Sequence, residues 1–286
     1  MRIERVDQSL TWLPLATFAL LVWSAQRVLT KVALVRWSTA RFYRWTAICS
    51  TAVYVPFAAF VPPDSSTFGG ALGLSVLMAI AFWVTTEATR RAPVSAVAPL
   101  TATSPALTAA LAISLLGERP DVLGTLGIGL AIVAAVLLAI GHGTGHAGQP
   151  WLHLAVASLL LQGLGAFIAK VVVTGSGPTT LLLTSVVVQL AVGMAIARDE
   201  PLALRETLTG RGVAITFVLI AAGVATIGYL SALSVGPASI IVPFVATSPS
   251  LGGLAGIAFL REAATRRQLA GIALGLAAIV LLAREP

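Results

Sequence analysis

Two stretches decide how this chain is read: VAPLTATSPAL at 97–107 and IVPFVATSPSL at 241–251. Each carries a proline and then Ala-Thr-Ser-Pro at the same distance beyond it, so Pro99 pairs with Pro243 and Ala102–Pro105 with Ala246–Pro249. The match runs outward at a constant offset over Pro93–Ala139 and Pro237–Ala283, and it takes in Glu118 with Glu262 and Gly127 with Gly271. Two unrelated Ala/Leu-rich segments would agree at scattered positions. A shared Thr-Ser-Pro with two shared proline spacings marks a duplication. The chain reads as two copies of one unit, residues 1–141 and 151–286, joined by a connector at 142–150.

Composition says where those copies live. Hydrophobic residues fill 57% of the 286 positions and charged ones 10%, against roughly a quarter charged in soluble domains, and mean hydropathy is +0.95. Such a chain belongs in a bilayer. Apolar runs of about 17–25 residues, the length that crosses hydrocarbon, fall near 10–30, 42–62, 68–88, 94–116, 122–141, 151–173, 178–197, 212–234, 238–260 and 267–283. The expectation is an all-α integral membrane protein of ten transmembrane helices, with no room for a soluble domain. The first run lies behind the mixed charges of MRIERVDQ and lacks a small-residue cleavage pattern, so it reads as a retained span. Five spans per copy is an odd number, so the second copy enters the membrane from the opposite side. Two inverted five-helix repeats are the architecture of many secondary transporters.

The net charge of +7 has a topological meaning. Nucleic-acid binding needs a contiguous basic face on a soluble surface, so no nucleic-acid partner is expected. Lys31, Arg36, Arg41, Arg44, Arg90, Arg91, Arg198, Arg205, Arg211, Arg261, Arg266 and Arg267 gather on connectors of one side. Arg2, Arg5, Arg119, Lys170 and Arg284 fall on the other. The positive-inside bias puts the first side in the cytoplasm, which makes this a multi-pass protein of the cell (inner or plasma) membrane with both termini outside. A lone Cys49 excludes a disulfide framework.

Trp23-Ser24 with Lys31 eight residues after the indole, paired prolines in the fourth and ninth spans, LLGERP at 115–120 and a Gly-rich span after it together resemble the EamA-type members of the drug/metabolite transporter superfamily. The resemblance covers nearly the whole chain. LREA at 260–263 departs from the Gly-Glu of the first copy. The likeness implies two five-helix repeats, a secondary transporter that exports small organic metabolites, and a cavity built by the first, third, fourth, sixth, eighth and ninth helices. The superfamily moves amino acids, sugars, nucleotide sugars and drugs. In the related small multidrug transporters the position of Trp23 is a glutamate that exchanges protons for cationic drugs; the indole here argues against that exchange.

The residues themselves favour translocation. A proline inside a helix deletes a backbone hydrogen bond, which hydrocarbon tolerates only where protein, hydroxyls or water satisfy the freed group. Pro99, Pro105, Pro243 and Pro249 are therefore read as helix breaks facing protein or a wet path, with Thr101, Thr103, Ser104, Thr247 and Ser248 supplying hydroxyls. Aligning Trp23…Lys31 with Gln162…Lys170 makes Trp23 and Gln162 equivalents, and Tyr229 stands at the repeat position of Thr85. Expected cavity-lining residues are Trp23, Gln26, Arg27, Thr101, Ser104, Gln162, Tyr229 and Ser248. Arg27 offers a planar guanidinium to a carboxylate, and few acids surround it, so amino acids or similar zwitterions are the expected substrates, with organic cations, drugs or sugars as the alternative. Glu87 is the acidic residue within an apolar span and the candidate for gating or proton binding, while Arg90 and Arg91 sit at ion-pairing distance along the helix.

The remaining polar residues read as structural. Lys31 and Lys170 are expected as end anchors, Glu118 and Glu262 as partners of helix N-termini, and Gly124, Gly127, Gly129, Gly271 and Gly275 as sites of close helix approach. His142, His146 and His153 lack carboxylate or cysteine companions and read as loop residues, so neither metal nor cofactor is expected. An enzyme acting on a lipid phosphate would need buried acids, histidines or arginines clustered at one depth, and the carboxylates here are dispersed. The expected partners are a small-molecule substrate and the bilayer; the sequence leaves the oligomeric state open and is compatible with a monomer.

Overall fold

The computed structural model describes residues 11–34, 37–91, 101–139, 150–199, 210–260 and 265–284, and among them every regular element is helical. In chain order these are α1 (Trp12–Leu34), α2 (Thr39–Phe60), a 3-10 turn (Ser65–Thr67), α3 (Phe68–Arg91), α4 (Ser104–Leu115), α5 (Val122–Ala139), α6 (Pro150–Ser176), α7 (Thr179–Ile196), α8 (Arg211–Val235), α9 (Ala238–Ala246), α10 (Ser248–Leu260) and α11 (Arg266–Leu282). The helices α3, α6, α7 and α8 and the α9–α10 unit contain stretches long and apolar enough to cross a membrane, and α1, α4 and α5 carry shorter apolar stretches. The ninth expected span is thus two helices in line.

The break between α9 and α10 is the repeated motif at work. Thr247 sits at φ −76°, ψ −3°, and its carbonyl accepts from Ser250 N at 2.8 Å. Thr103, its equivalent, sits at φ −88°, ψ −2°, and its carbonyl accepts from Ala106 N at 2.9 Å. Both copies therefore make the same tight turn. The prolines play a different part from the one expected. Pro105 and Pro249 are the second residues of α4 and α10, where the missing N–H has no helical partner to lose, so they start helices instead of kinking them. Pro243 does lie inside α9, as Pro56 lies inside α2. Pro99 falls outside the described residues.

Helix pairing obeys an exchange of the two halves. Contact of α1 with α8 is mirrored by α3 with α6, that of α3 with α7 by α2 with α8, and that of α4 with α6 by α1 with α9 and α10; α2–α7, α4–α9 and α5–α11 map onto themselves. The α5–α11 seam repeats this at atomic scale. A Cβ on Gly127 would lie 2.8 Å from Leu282 Cγ, and one on Gly271 2.9 Å from Leu138 Cγ; Leu138 and Leu282 are themselves repeat equivalents. Gly275 is equally tight against Ser250, whereas Gly129 faces open space, so it takes no part in the close approach expected of it. The larger apolar core runs through both repeats, from Trp12, Leu20 and Tyr54 to Leu182, Leu233 and Phe244, and a smaller one gathers Trp37, Trp45, Cys49, Ile215 and Leu219.

Several polar groups inside the bundle are satisfied by backbone, as a low-dielectric interior favours, while Trp12 Nε1, Thr179 Oγ1, Ser239 Oγ and Ser250 Oγ are buried without a partner among the described residues. Ser24 and Ser75 donate to carbonyls one turn earlier, and Thr108 of α4 donates to Gly163 O of α6 at 2.8 Å. Arg44, read above as a connector charge, is buried in α2, and its Nη1 donates to Ala197 O at 2.7 Å. It caps the C-terminal end of α7, where a cation is favourable.

Candidate functional site

A cavity of about 700 Å³ lies between α1, α2 and α3 of the first repeat and α6, α7 and α8 of the second. Equivalent triplets form its two sides, which places it on the pseudo-symmetry axis. The lining differs from the expected helix set: α2 and α7 contribute, and α4 and α9 do not. The physical reason is packing. The helices α4 and α9 lie against each other and against α5, and Ala238–Val245 of α9 are all buried. The helix that holds Pro243 is therefore enclosed by protein and does not face the cavity.

Aromatic rings and aliphatic side chains such as Leu74, Met78 and Leu230 make up most of the cavity surface, with a smaller set of neutral polar groups. Trp23 of α1 and Tyr229 of α8 pack with ring centroids 5.1 Å apart at 54°, and Tyr43 of α2 meets Phe82 of α3 at 4.5 Å and 35°. Buried Tyr54 of α2 and Thr226 of α8 also line the cavity. Opposite Trp23, the Gln162 amide nitrogen donates to Thr85 Oγ1 at 3.1 Å and Ser158 Oγ at 2.9 Å, and Thr85 in turn donates to Ala81 O at 2.6 Å. Gln189, Ser185 and Thr46 complete the polar lining. No charged residue lines it among the described residues.

The end beside the α2–α3 and α6–α7 turns is closed by packing. Leu74, Leu181 and Leu182 are buried, and Ser75 Oγ meets Thr184 Oγ1 at 3.0 Å. Beyond them Asp64 N donates to Thr180 Oγ1 at 2.8 Å while that hydroxyl donates to Asp64 O at 3.0 Å. Hydrogen bonds from the backbone and hydroxyl of Ser66 hold the Asp64 carboxyl below the usual carboxylate range.

A second polar group ties the halves at the α8–α9 corner. Gly117, at φ +69°, turns the chain after α4 in a conformation glycine adopts readily and presents Glu118 to the start of α9. Its two carboxylate oxygens accept from Ala238 N at 2.9 Å and Ser239 N at 2.7 Å. The expected helix N-terminus is confirmed, but the helix is α9 of the other repeat. The following helix, α5, is capped by Asp121, which accepts from Gly124 N at 2.6 Å. Lys170 corrects its expected part too: Nζ donates to Leu233 O at 2.7 Å and Gly236 O at 2.8 Å, so it holds the end of α8 instead of anchoring a helix in the interface.

Of the residues expected to line a path, the structure brings Trp23, Gln162 and Tyr229 together in one cavity. Gln26 is partly buried and lies off it. Thr101 and Ser104 sit at the start of the α4 region, partly buried, and Ser248 is buried at the α9–α10 turn, all away from the lining. The side chains of Arg27 and Glu87 lie outside the described residues, as do His142, His146 and Glu262. His153 is exposed. Tyr43, Tyr54, Phe82 and Gln189 were not anticipated. Their signal was present in FYRW at 42–45 and in a lone glutamine within the apolar run of α7.

The model of the EamA-like transporter family matches residues 10–140 and again residues 149–284, one copy on each repeat. No curated protein matches the chain. A solved structure described only as the crystal structure of a protein is 15% identical, with a TM-score of 0.75 and 96% of each chain covered. At that identity the likeness is one of fold.

Proposed function

The chain belongs to the EamA-like transporter family, and from that premise we propose that it carries amino acids or similar zwitterions across the cell membrane, with net export. The carrying observation is the cavity: about 700 Å³, shared by equivalent helix triplets, and lined by rings and aliphatic side chains with a few amides and hydroxyls among them. Its size falls in the range that encloses a small organic molecule. Rings offer a face to an apolar or cationic group, and amides and hydroxyls bond the two poles of a zwitterion. Among the described residues the lining offers a lipophilic cation no counter-charge, which would leave it desolvated and unpaired, at high cost. Rocking of one repeat against the other about the pseudo-two-fold exposes such a central site to each side in turn.

Counterflow in proteoliposomes over amino acids, sugars, nucleosides and quaternary amines tests the reading. Uptake of amino acids, lost in Trp23→Ala with the fold intact, is the expected result. Uptake confined to lipophilic cations would overturn it.

A further inference from the structure

The duplicated positions around the cavity have diverged into two unlike walls. Trp23 and Tyr229 map onto Gln162 and Thr85 under the exchange of halves. One pair is a ring contact and the other an amide–hydroxyl hydrogen bond.

Counting hydrogens fixes which way the Gln162 amide points. Thr85 has one hydroxyl hydrogen, and it is committed to Ala81 O. Thr85 Oγ1 therefore meets the neighbouring Ser158 Oγ as an acceptor, and the single Ser158 hydrogen is spent there. Both hydroxyl oxygens can then only accept from Gln162. The reverse amide would set oxygen against Thr85 Oγ1 with no hydrogen between them and would draw the Ser158 hydrogen away from Thr85. With Ser158 fully buried, water cannot repair either contact, and unmade bonds of that kind are costly. The N–H edge of the amide is thus turned behind the wall, toward two hydroxyls 2.5 Å apart. The group that Gln162 then turns to the cavity it lines is its carbonyl oxygen.

We infer that Gln162 is the specificity-determining hydrogen-bond acceptor of the transport site, held in that sense by Thr85 and Ser158 as positioning residues. It selects solutes that carry an N–H or O–H donor beside an apolar or aromatic body resting on the Trp23–Tyr229 wall. The inference rests on the carrier reading above and adds to it the group that does the recognition. A solute with the same charge but no donor leaves the carbonyl desolvated and unmatched, and sites built for a donor reject such analogues strongly.

The test uses the full chain in liposomes with L-phenylalanine, N-methylphenylalanine and N,N,N-trimethylphenylalanine, which keep ring, carboxylate and positive charge while the last loses every N–H. Wild type is expected to transport the first two and to discriminate against the third by roughly tenfold or more, the scale of one hydrogen bond to a charged group. Gln162→Met, close in volume, should erase the difference. Thr85→Val with Ser158→Ala frees the amide to turn; it should raise KM several-fold at nearly constant kcat and narrow the discrimination. Equal handling of all three by wild type, or discrimination that persists in Gln162→Met, overturns the inference. A second measurement is independent of transport: hydrogen exchange of the side-chain amide in 15N-glutamine-labelled protein. Slow exchange at Gln162 in wild type and fast exchange in the Thr85/Ser158 double variant are expected, and fast exchange in wild type overturns the lock. Should wild type transport none of the three compounds, the amino-acid reading and the recognition half fall together, and the exchange result alone decides whether the amide is held.

Discussion

Glu118 shows how one side chain joins distant parts of this fold. Its carboxylate takes the first two N–H groups of α9, while Lys170 takes the last carbonyls of α8, so opposite charges hold the two sides of the Gly236-Pro237 corner. Removal of a helix N-terminal cap costs about 1 kcal/mol, within a range of roughly 0.5–2. Glu118→Ala is expected to destabilise by that amount in detergent unfolding, and Glu118→Gln by less, because an amide oxygen still accepts one bond. Unchanged stability in both would mean that packing alone places α9. Asp64 supplies a pH dependence with a definite sign. Its folded-state pKa is depressed by the Ser66 bonds, so the stabilisation is present above the ordinary carboxylate pKa and is lost as pH falls through the depressed value. A carbon-detected titration should place its midpoint below that of a free aspartate, and Asp64→Asn should remove this part of the acid sensitivity. An ordinary midpoint would contradict the bonds. The partner of Glu118 could not be read from the chain, because Glu118 and Ala238 are brought together only by the crossing of two repeats, whereas Asp64 and Ser66 are local.

The elements were legible where period and punctuation agree. Apolar runs of membrane-spanning length set the helices, and the repeated Thr-Ser-Pro set a turn in both copies, since a proline just inside a helix start suits the φ of its first turn. Sequence could not say whether such a break faces water or protein, because both satisfy a freed carbonyl; packing of α4 against α9 settled it. Glycine spacing was a partial guide. Gly127→Val should force Leu282 away and destabilise by about 1–3 kcal/mol, the usual cost of overpacking, and Gly271→Val should do the same against Leu138. Gly129→Ala, which meets open space, should be neutral or slightly stabilising through helix propensity. No loss at Gly127 and Gly271 would show that helix propensity, and not the α5–α11 seam, governs these positions.

At the scale of the whole molecule, a carrier must offer its central cavity to each side in turn. With buried Cys49 replaced by alanine, cysteines at Gln189 and at Leu181 sample its two ends. In the packed arrangement described here, Gln189→Cys should react with a polar maleimide and Leu181→Cys should resist it. Under saturating substrate the ratio of the two rates is expected to change; a ratio fixed under every condition would rule out alternating access. The chain by itself determined the bilayer as solvent, the spans, the duplication and, through an odd number of spans, the inversion. Those are properties of composition, length and parity, which no tertiary contact can alter. Only the folded bundle decided that α2 and α7 line the cavity, that α9 is buried against α4 and α5, and that Gln162 shares the cavity with Trp23 and Tyr229. In an apolar span each side chain has the same hydrophobic reason to be anywhere, so which helix face turns inward is set by close packing between helices far apart in sequence.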